Sequence, residues 1–394
     1  QDLVDTTLDQ EKLGELIDAL TRLPEGFSPS KKLKRPMQQR REMARGERKL
    51  DWATAEAAAL ASLLVDGHPV RITGQDSERG TFSHRHAVLH DERTGDTYTP
   101  LKNLSADQAR LELYNSPLSE SGVLGFEYGY SLDCPNGLVA WEAQFGDFWN
   151  VAQVIVDQFI ASAEDKWNRL SGLVMLLPHG FEGQGPEHCS ARMERFLAMA
   201  AEDNIQICQP TTPAQYFHLL RRQVISKWRK PLIALTPKSL LRHPMVVSPL
   251  HIVAEGGFKK ILPDRKVMLD KAQAVQFCTG KIYYDLLEER TKRELDDRVA
   301  IIRLEQLYPL SAGELFEALD GLAKGTEIRW VQDEPQNMGA WPYVKFRFGD
   351  DLSSRYQLTR ATRAESASPS TGSMAAHKLE QADLLNTAFA GLVS

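Results

Sequence analysis

Pro69-Val70-Arg71-Ile72-Thr73-Gly74-Gln75-Asp76 is a short β-branched run that ends in glycine and opens into a polar stretch, the pattern of a buried parallel strand delivering a loop at its carboxyl end. The theme recurs. Gly137-Leu138-Val139-Ala140-Trp141-Glu142, Gly172 to Leu177 and Pro231-Leu232-Ile233-Ala234-Leu235 read as further strands, while Leu50 to Asp66, Trp149 to Ala163 and Ala191 to Ala201 carry helical spacing. Strands and helices alternating at these lengths predict an α/β fold with a parallel sheet, helices on both faces and ligands at the carboxyl ends of the strands. A second α/β pattern follows the turn around Pro244 and Pro249: strands at Ala274 to Gly280, Val299 to Leu304 and Glu327 to Val331, helices at Lys281 to Lys292 and Gly313 to Leu322. The domain boundary then falls near Val253 to Pro263. The serine-rich stretch Ala364 to Ser373 reads as loop.

At about 150 residues per domain, 394 residues make room for two or three domains. With a net charge of -6, the chain lacks the clustered positive surface that phosphate backbones demand, so nucleic acid is excluded as a partner. The longest apolar runs, such as Leu173-Val174-Met175-Leu176-Leu177, fall far short of the roughly 20 residues that cross a bilayer, and no membrane span is expected. Cys134, Cys189, Cys208 and Cys278 form no CxxC or CxxxH pair. Neither a zinc site nor a disulfide framework is supported, and a reducing compartment fits.

Asp9-Gln10-Glu11-Lys12-Leu13-Gly14-Glu15-Leu16-Ile17 reads as an acidic-capped amphipathic helix, without the basic and apolar regions of a signal peptide. Because the chain opens on Gln1 rather than Met, it is expected to be a processed or truncated piece of a longer protein. Lys31, Lys32, Lys34, Arg35, Arg40, Arg41, Arg45, Arg48 and Lys49 follow with few acids between them. They read as a solvated linker or helix face; the sharper alternative is a docking strip for an acidic partner.

The fingerprints GxxxxGKS/T and GxGxxG are absent, as is the GxSxG elbow of a serine nucleophile. Chemistry concentrates instead in four clusters. Gly74 to His86 packs acids, bases and histidines into a loop after a strand; His84 and His86, taken singly, read as packing or loop-ordering groups. Asn115 to Phe126 sets Glu120 at the opening of an otherwise apolar helix, with Gly122 and Gly125 allowing close backbone approach. Glu120 suits either a favourable charge at the helix start or a half-buried proton-exchange group of raised pKa, and spacing alone favours the first. Trp141 to Asn150 surrounds an acidic turn with aromatics, suited to core packing or to stacking a flat heterocycle. Leu177 to Ser190 brings histidines among glycines at another strand end, candidates for acid/base work or carboxylate binding.

In this order the clusters resemble the carboxyl-terminal half of the thiamin-diphosphate-dependent 2-oxoglutarate dehydrogenases. The match runs through Gly74-Gln75-Asp76, Arg79 to His86, Ser116-Pro117-Leu118-Ser119-Glu120, Gly125 to Tyr130, Glu142 to Phe148, His179-Gly180, Gly183 to His188, Pro237 to Pro244 and Glu305 to Pro309. The resemblance implies a thiamin-diphosphate enzyme fold. Residues 50-255 would form its pyrimidine-binding parallel-sheet domain and 256-394 its transketolase-type carboxyl-terminal α/β domain, with 1-49 a helical segment and basic linker from a missing amino-terminal part. It also implies that Glu120 is the carboxylate that hydrogen-bonds a ring nitrogen of the aminopyrimidine, that Leu118 holds the cofactor bent, that Phe148 stacks on it, and that His188 contacts substrate or intermediates. His179 lies in the same motif and inherits no role.

Thiamin diphosphate and magnesium are the implied cofactors. The family's GDG motif with its following asparagine is absent, since Gly146-Asp147 and Gly349-Asp350 lack the third glycine. No metal ligand is assigned here, and the ligands are expected on the missing amino-terminal part. The implied activity is oxidative decarboxylation of 2-oxoglutarate with transfer of the succinyl group to a lipoyl group of the dihydrolipoyl succinyltransferase component. A homodimer in a bacterial cytoplasm, or in a mitochondrial matrix, would carry it out. Alternatives within the fold are a 2-oxoadipate dehydrogenase or a carboligating 2-oxoglutarate decarboxylase; outside it, a non-catalytic dimerisation and docking module.

Overall fold

The computed structural model describes residues 4–392. Gln1, on which the reading of the chain's start rests, lies outside the described residues. The strands, in chain order, are β1 (Val70–Gly74), β2 (Leu89–His90), β3 (Thr97–Tyr98), β4 (Leu111–Asn115), β5 (Leu138–Glu142), β6 (Val174–Pro178), β7 (Gln206–Cys208), β8 (Leu232–Thr236), β9 (Ile261–Leu262), β10 (Ala274–Cys278), β11 (Val299–Leu304), β12 (Gln306–Tyr308), β13 (Glu327–Pro335) and β14 (Gln357–Arg363). A seven-stranded sheet has the order β12-β7-β8-β6-β5-β1-β4 and a five-stranded sheet the order β14-β13-β10-β11-β9. Every pair in them is parallel except β12 with β7 and β9 with β11. The predicted strands are all present.

Apolar runs, rather than alternation, mark the central strands β5, β6 and β8 because both faces are buried. On β5, Leu138 and Ala140 enter one core while Val139 and Trp141 enter the other; on β6, Val174 and Leu176 part in the same way from Met175 and Leu177. The first core is closed by the helices Trp52–Val65 and Pro213–Ile225. The second runs without a break into the other sheet, where Phe277, Ile302 and Trp330 join it. That shared core, together with β12, which leaves the second αβ pattern to pair with β7, fixes one sheet against the other.

Some stretches depart from expectation: β4, β7, β14 and the helices Trp341–Ser353 and Met374–Ala388 were not read from the sequence, and the helix expected over Gly313 to Leu322 runs Ala312–Glu317. Trp149 to Ala163 is not one helix: a 3-10 segment (Gly146–Ala152), one α turn (Gln153–Ile155), a π turn (Val156–Ile160) and the helix Ala163–Trp167 divide it. Val151, Val154, Ile155 and Val156 are stiff at χ1 and disfavour regular helix, and Trp149 is pinned by donating its indole N–H to the Ala191 carbonyl at 2.6 Å. The basic stretch contains the helix Lys34–Ala44, which buries Met43 and Ala44; Lys34, Arg35 and Arg41 are exposed, whereas Arg40 turns inward and burial lowers its guanidinium. The helix Pro213–Ile225 was not anticipated, although Thr212 caps it by accepting from the Gln215 amide and Pro213 starts it. Among the described residues no helix is long and apolar enough to cross a membrane, and the four cysteines are free.

Candidate active site

The carboxyl ends of β1, β4, β5 and β6 deliver the four clusters to one end of the seven-stranded sheet, where β8 brings Lys238. The loop after β1 can turn there because Gly74 lies against the Glu142 carbonyl, where any Cβ would come within 2.2 Å. Its far end is anchored by Arg85, fully buried between two acids. The guanidinium donates to Glu56 at 2.6 and 3.1 Å and to Glu142 at 2.7 and 2.6 Å. Burial alone would raise the Glu56 carboxyl, but Arg85 beside it holds it below its ordinary value. Tyr216 adds a hydroxyl to Glu56 at 3.0 Å. His86 ties the loop by pairing its Nε2 with the Ser83 carbonyl at 2.9 Å, and burial lowers the His84 imidazole.

Glu120 opens the helix Glu120–Asp133, but Ser119 is its cap, accepting from the Gly122 amide at 3.4 Å. The Glu120 carboxylate is therefore not consumed in capping. It is partly exposed, accepts one hydrogen bond from Gln75 at 3.2 Å through Oε1, and has no protein partner on Oε2 among the described residues. Leu118, two residues before it, is 50% exposed, an apolar surface left uncovered beside a carboxylate. Asn115 and Glu78 tie the end of β4 to the loop after β1, the Glu78 amide donating to Asn115 at 3.0 Å and the Asn115 amide returning to Glu78 at 3.2 Å.

Phe148 and His188 meet. The His188 ring stands edge-on to Phe148 at 5.9 Å and, closer, to Phe145 at 4.4 Å; Phe145 in turn meets Phe82 at 5.7 Å. The turn bearing Phe148 can approach β6 because Gly146 lies against the Pro178 carbonyl, where a Cβ would come within 2.5 Å. No hydrogen bond or ring contact joins Glu120 or Leu118 directly to Phe148 or His188 among the described residues. What links the two halves is Ser121, whose hydroxyl donates to the Val151 carbonyl, binding the Glu120 helix to the Phe148 segment.

Several residues around these four make contacts that the reading of the sequence did not anticipate. Asp147 accepts from the Cys189 and Ser190 amides at 3.2 and 3.0 Å. Lys238, after β8, donates to the His188 carbonyl at 2.6 Å. His179 accepts the Ala191 amide on Nδ1 at 3.0 Å, which leaves Nε2 to carry the proton donated to Glu334 at 2.7 Å across the two sheets. Each partner lies far away in sequence, so no local pattern signals it.

Residues 48–244 match the family model of the transketolase pyrimidine-binding domain, and residues 247–389 match that of the 2-oxoglutarate dehydrogenase C-terminal domain. Among curated proteins, the chain is 50% identical to the 2-oxoglutarate dehydrogenase E1 component of Cupriavidus necator and 49% identical to those of Azotobacter vinelandii and Coxiella burnetii. The alignments cover 99%, 98% and 98% of this chain but 42%, 41% and 42% of the respective relatives. The chain thus spans about two fifths of the length of the curated relatives it matches.

Proposed function

This chain belongs to the transketolase pyrimidine-binding family and continues into a 2-oxoglutarate dehydrogenase C-terminal domain, and from that premise we propose that its parent protein decarboxylates 2-oxoglutarate on thiamin diphosphate. The succinyl group then passes to a lipoyl group of a dihydrolipoyl succinyltransferase, and the working unit is a homodimer. We keep the division 1-49, 50-255 and 256-394, with β12 of the last part reaching back to the first sheet.

The observation that carries the proposal is Glu120: a carboxylate at a helix start, freed from capping by Ser119 and with one oxygen unpartnered by protein. Together with the uncovered Leu118 and the aromatic pair Phe145 and Phe148 at the same end of the sheet, it fits the polar edge and the faces of an aminopyrimidine. When bound, thiamin diphosphate supplies the electron sink for loss of carbon dioxide. Glu120 holds a proton at the pyrimidine ring nitrogen and exchanges it there. Leu118 would hold the cofactor in place, Phe148 would stack on it, and His188 would donate a hydrogen bond to the substrate side. Among the described residues no group of three or more His, Cys, Asp or Glu that could hold a metal ion is found, and no step is assigned to magnesium.

Purified parent enzyme, supplied with thiamin diphosphate, magnesium and a lipoylated domain of the succinyltransferase, should succinylate the lipoyl group from 2-oxoglutarate. It should use 2-oxoadipate less well. Succinylation that is absent, or that loses to transfer from 2-oxoadipate, overturns the substrate assignment.

A further inference from the structure

The turn that carries His188 is built of residues that do not hold a shape by themselves. Gly183 and Gly185 both take positive φ, 74° and 92°, and glycine has more backbone freedom to lose than any other residue. Two buried charges grip this turn from opposite sides. Asp147 receives the Cys189 and Ser190 amides on Oδ1, and its Oδ2 is buried without a partner among the described residues. Lys238, 3% exposed, donates to the His188 carbonyl at 2.6 Å and to Gln184 at 3.0 Å, and forms no ion pair among the described residues. Burial lowers the Lys238 ammonium from its ordinary value. Glu182 and Asp147 lie near enough to favour its charge without forming an ion pair with it, and buried charges lacking a direct ion pair are costly and call for a reason.

We propose that Asp147 and Lys238 are positioning residues for His188, clamping the peptide at 188–190 so that the imidazole stands against Phe145 and Phe148. Asp147 directly precedes Phe148, so the same carboxylate that fixes the backbone beside His188 also fixes the turn presenting one of its aromatic neighbours. Lys238 brings the end of β8 to the same point, and the Gly180 amide closes the turn on the Cys189 carbonyl at 2.8 Å. The assignment rests on the proposed role of His188 toward substrate.

The test uses the complete parent enzyme. Lys238→Met should lower kcat roughly 10- to 100-fold at unchanged cofactor affinity, the scale on which a misplacement of about 1 Å costs rate, and Asp147→Ala should lower kcat at saturating cofactor by a similar factor. Asp147→Asn, which keeps an accepting oxygen, should recover most of the loss. In a His188→Ala background the same changes should cost less than about twofold, because the group they position is gone. Amide exchange over residues 180–190, followed by mass spectrometry, should quicken in Lys238→Met and Asp147→Ala while the peptides of β5 and β6 stay unchanged. Unaltered exchange over 180–190 overturns the clamp whatever the kinetics, and kinetic losses that multiply with His188→Ala overturn the positioning role. Wild-type turnover of His188→Ala alongside quickened exchange would instead sink the proposed role of His188 and leave the clamp standing.

Discussion

Replacing Glu120 by glutamine separates the two roles that a carboxylate can play at the start of the helix Glu120–Asp133. The folded state loses little, because Ser119 supplies the cap and the one hydrogen bond from Gln75, at 3.2 Å, can be accepted equally by an amide oxygen. What remains is the attraction of a partly exposed charge to the helix dipole, about 0.3–1 kcal/mol, which lowers Tm by no more than about 4 °C in a domain of this size. The chemical loss is of another order. An amide cannot exchange a proton with a pyrimidine nitrogen, and positioned acid/base groups contribute roughly 100- to 10,000-fold in rate. In the complete enzyme, Glu120→Gln should therefore lose that factor in 2-oxoglutarate decarboxylation and in deuterium exchange at the thiazolium carbon, with Tm shifted by a few degrees at most. Deuterium exchange at the wild-type rate would refute the proton role and return Glu120 to a helix-end charge.

Three further outcomes are expected. Phe148→Ala should weaken cofactor binding, since aromatic stacking adds about 1 kcal/mol beyond area burial; calorimetry showing unchanged affinity, with Tm lowered equally with and without cofactor, would make Phe148 a packing residue only. Arg85→Met leaves Glu56 and Glu142 buried against each other without their cation and should cost about 3–5 kcal/mol, read as a lower urea midpoint; a midpoint within error of wild type contradicts the anchoring role. Burial pushes the His218 imidazole down to about 4 from 6.5, so the folded state binds fewer protons than the unfolded one between those values. Stability is then intact above about pH 6.5 and falls as pH drops toward 4, by roughly 3 kcal/mol; if His218→Gln leaves the acid slope of the urea midpoint unchanged, another group is responsible.

The strands were legible because burial on both faces writes itself into largely apolar letters: β5, β6, β8, β10 and β11 stood out on that ground, and β1 by its β-branched run ending in glycine. β7, only three residues long, and the helix Pro213–Ile225, whose largely buried sequence includes Gln215, His218, Arg221 and Gln223, gave no clean period. The polar residues on that helix are satisfied by partners elsewhere, Gln206 for Gln223 and Ser62 for Arg221, which a one-dimensional pattern cannot register. The same limit governs the site. Glu120, Leu118, Phe148 and His188 were reached through motifs that resemble a known family, and the meeting of Phe148 with His188 follows once β5 and β6 are neighbours in one parallel sheet. Asp147, Lys238 and Glu334 reach their partners across 42 or 43, 50 and 155 residues, and in the sequence they look like ordinary surface charges. Each becomes conspicuous only when the fold withdraws it from water, because a buried charge must find its hydrogen bonds in the protein. What the fold contributes beyond the motifs is thus this second layer of groups, which carry no signature of their own and bear on where the imidazole of His188 can stand.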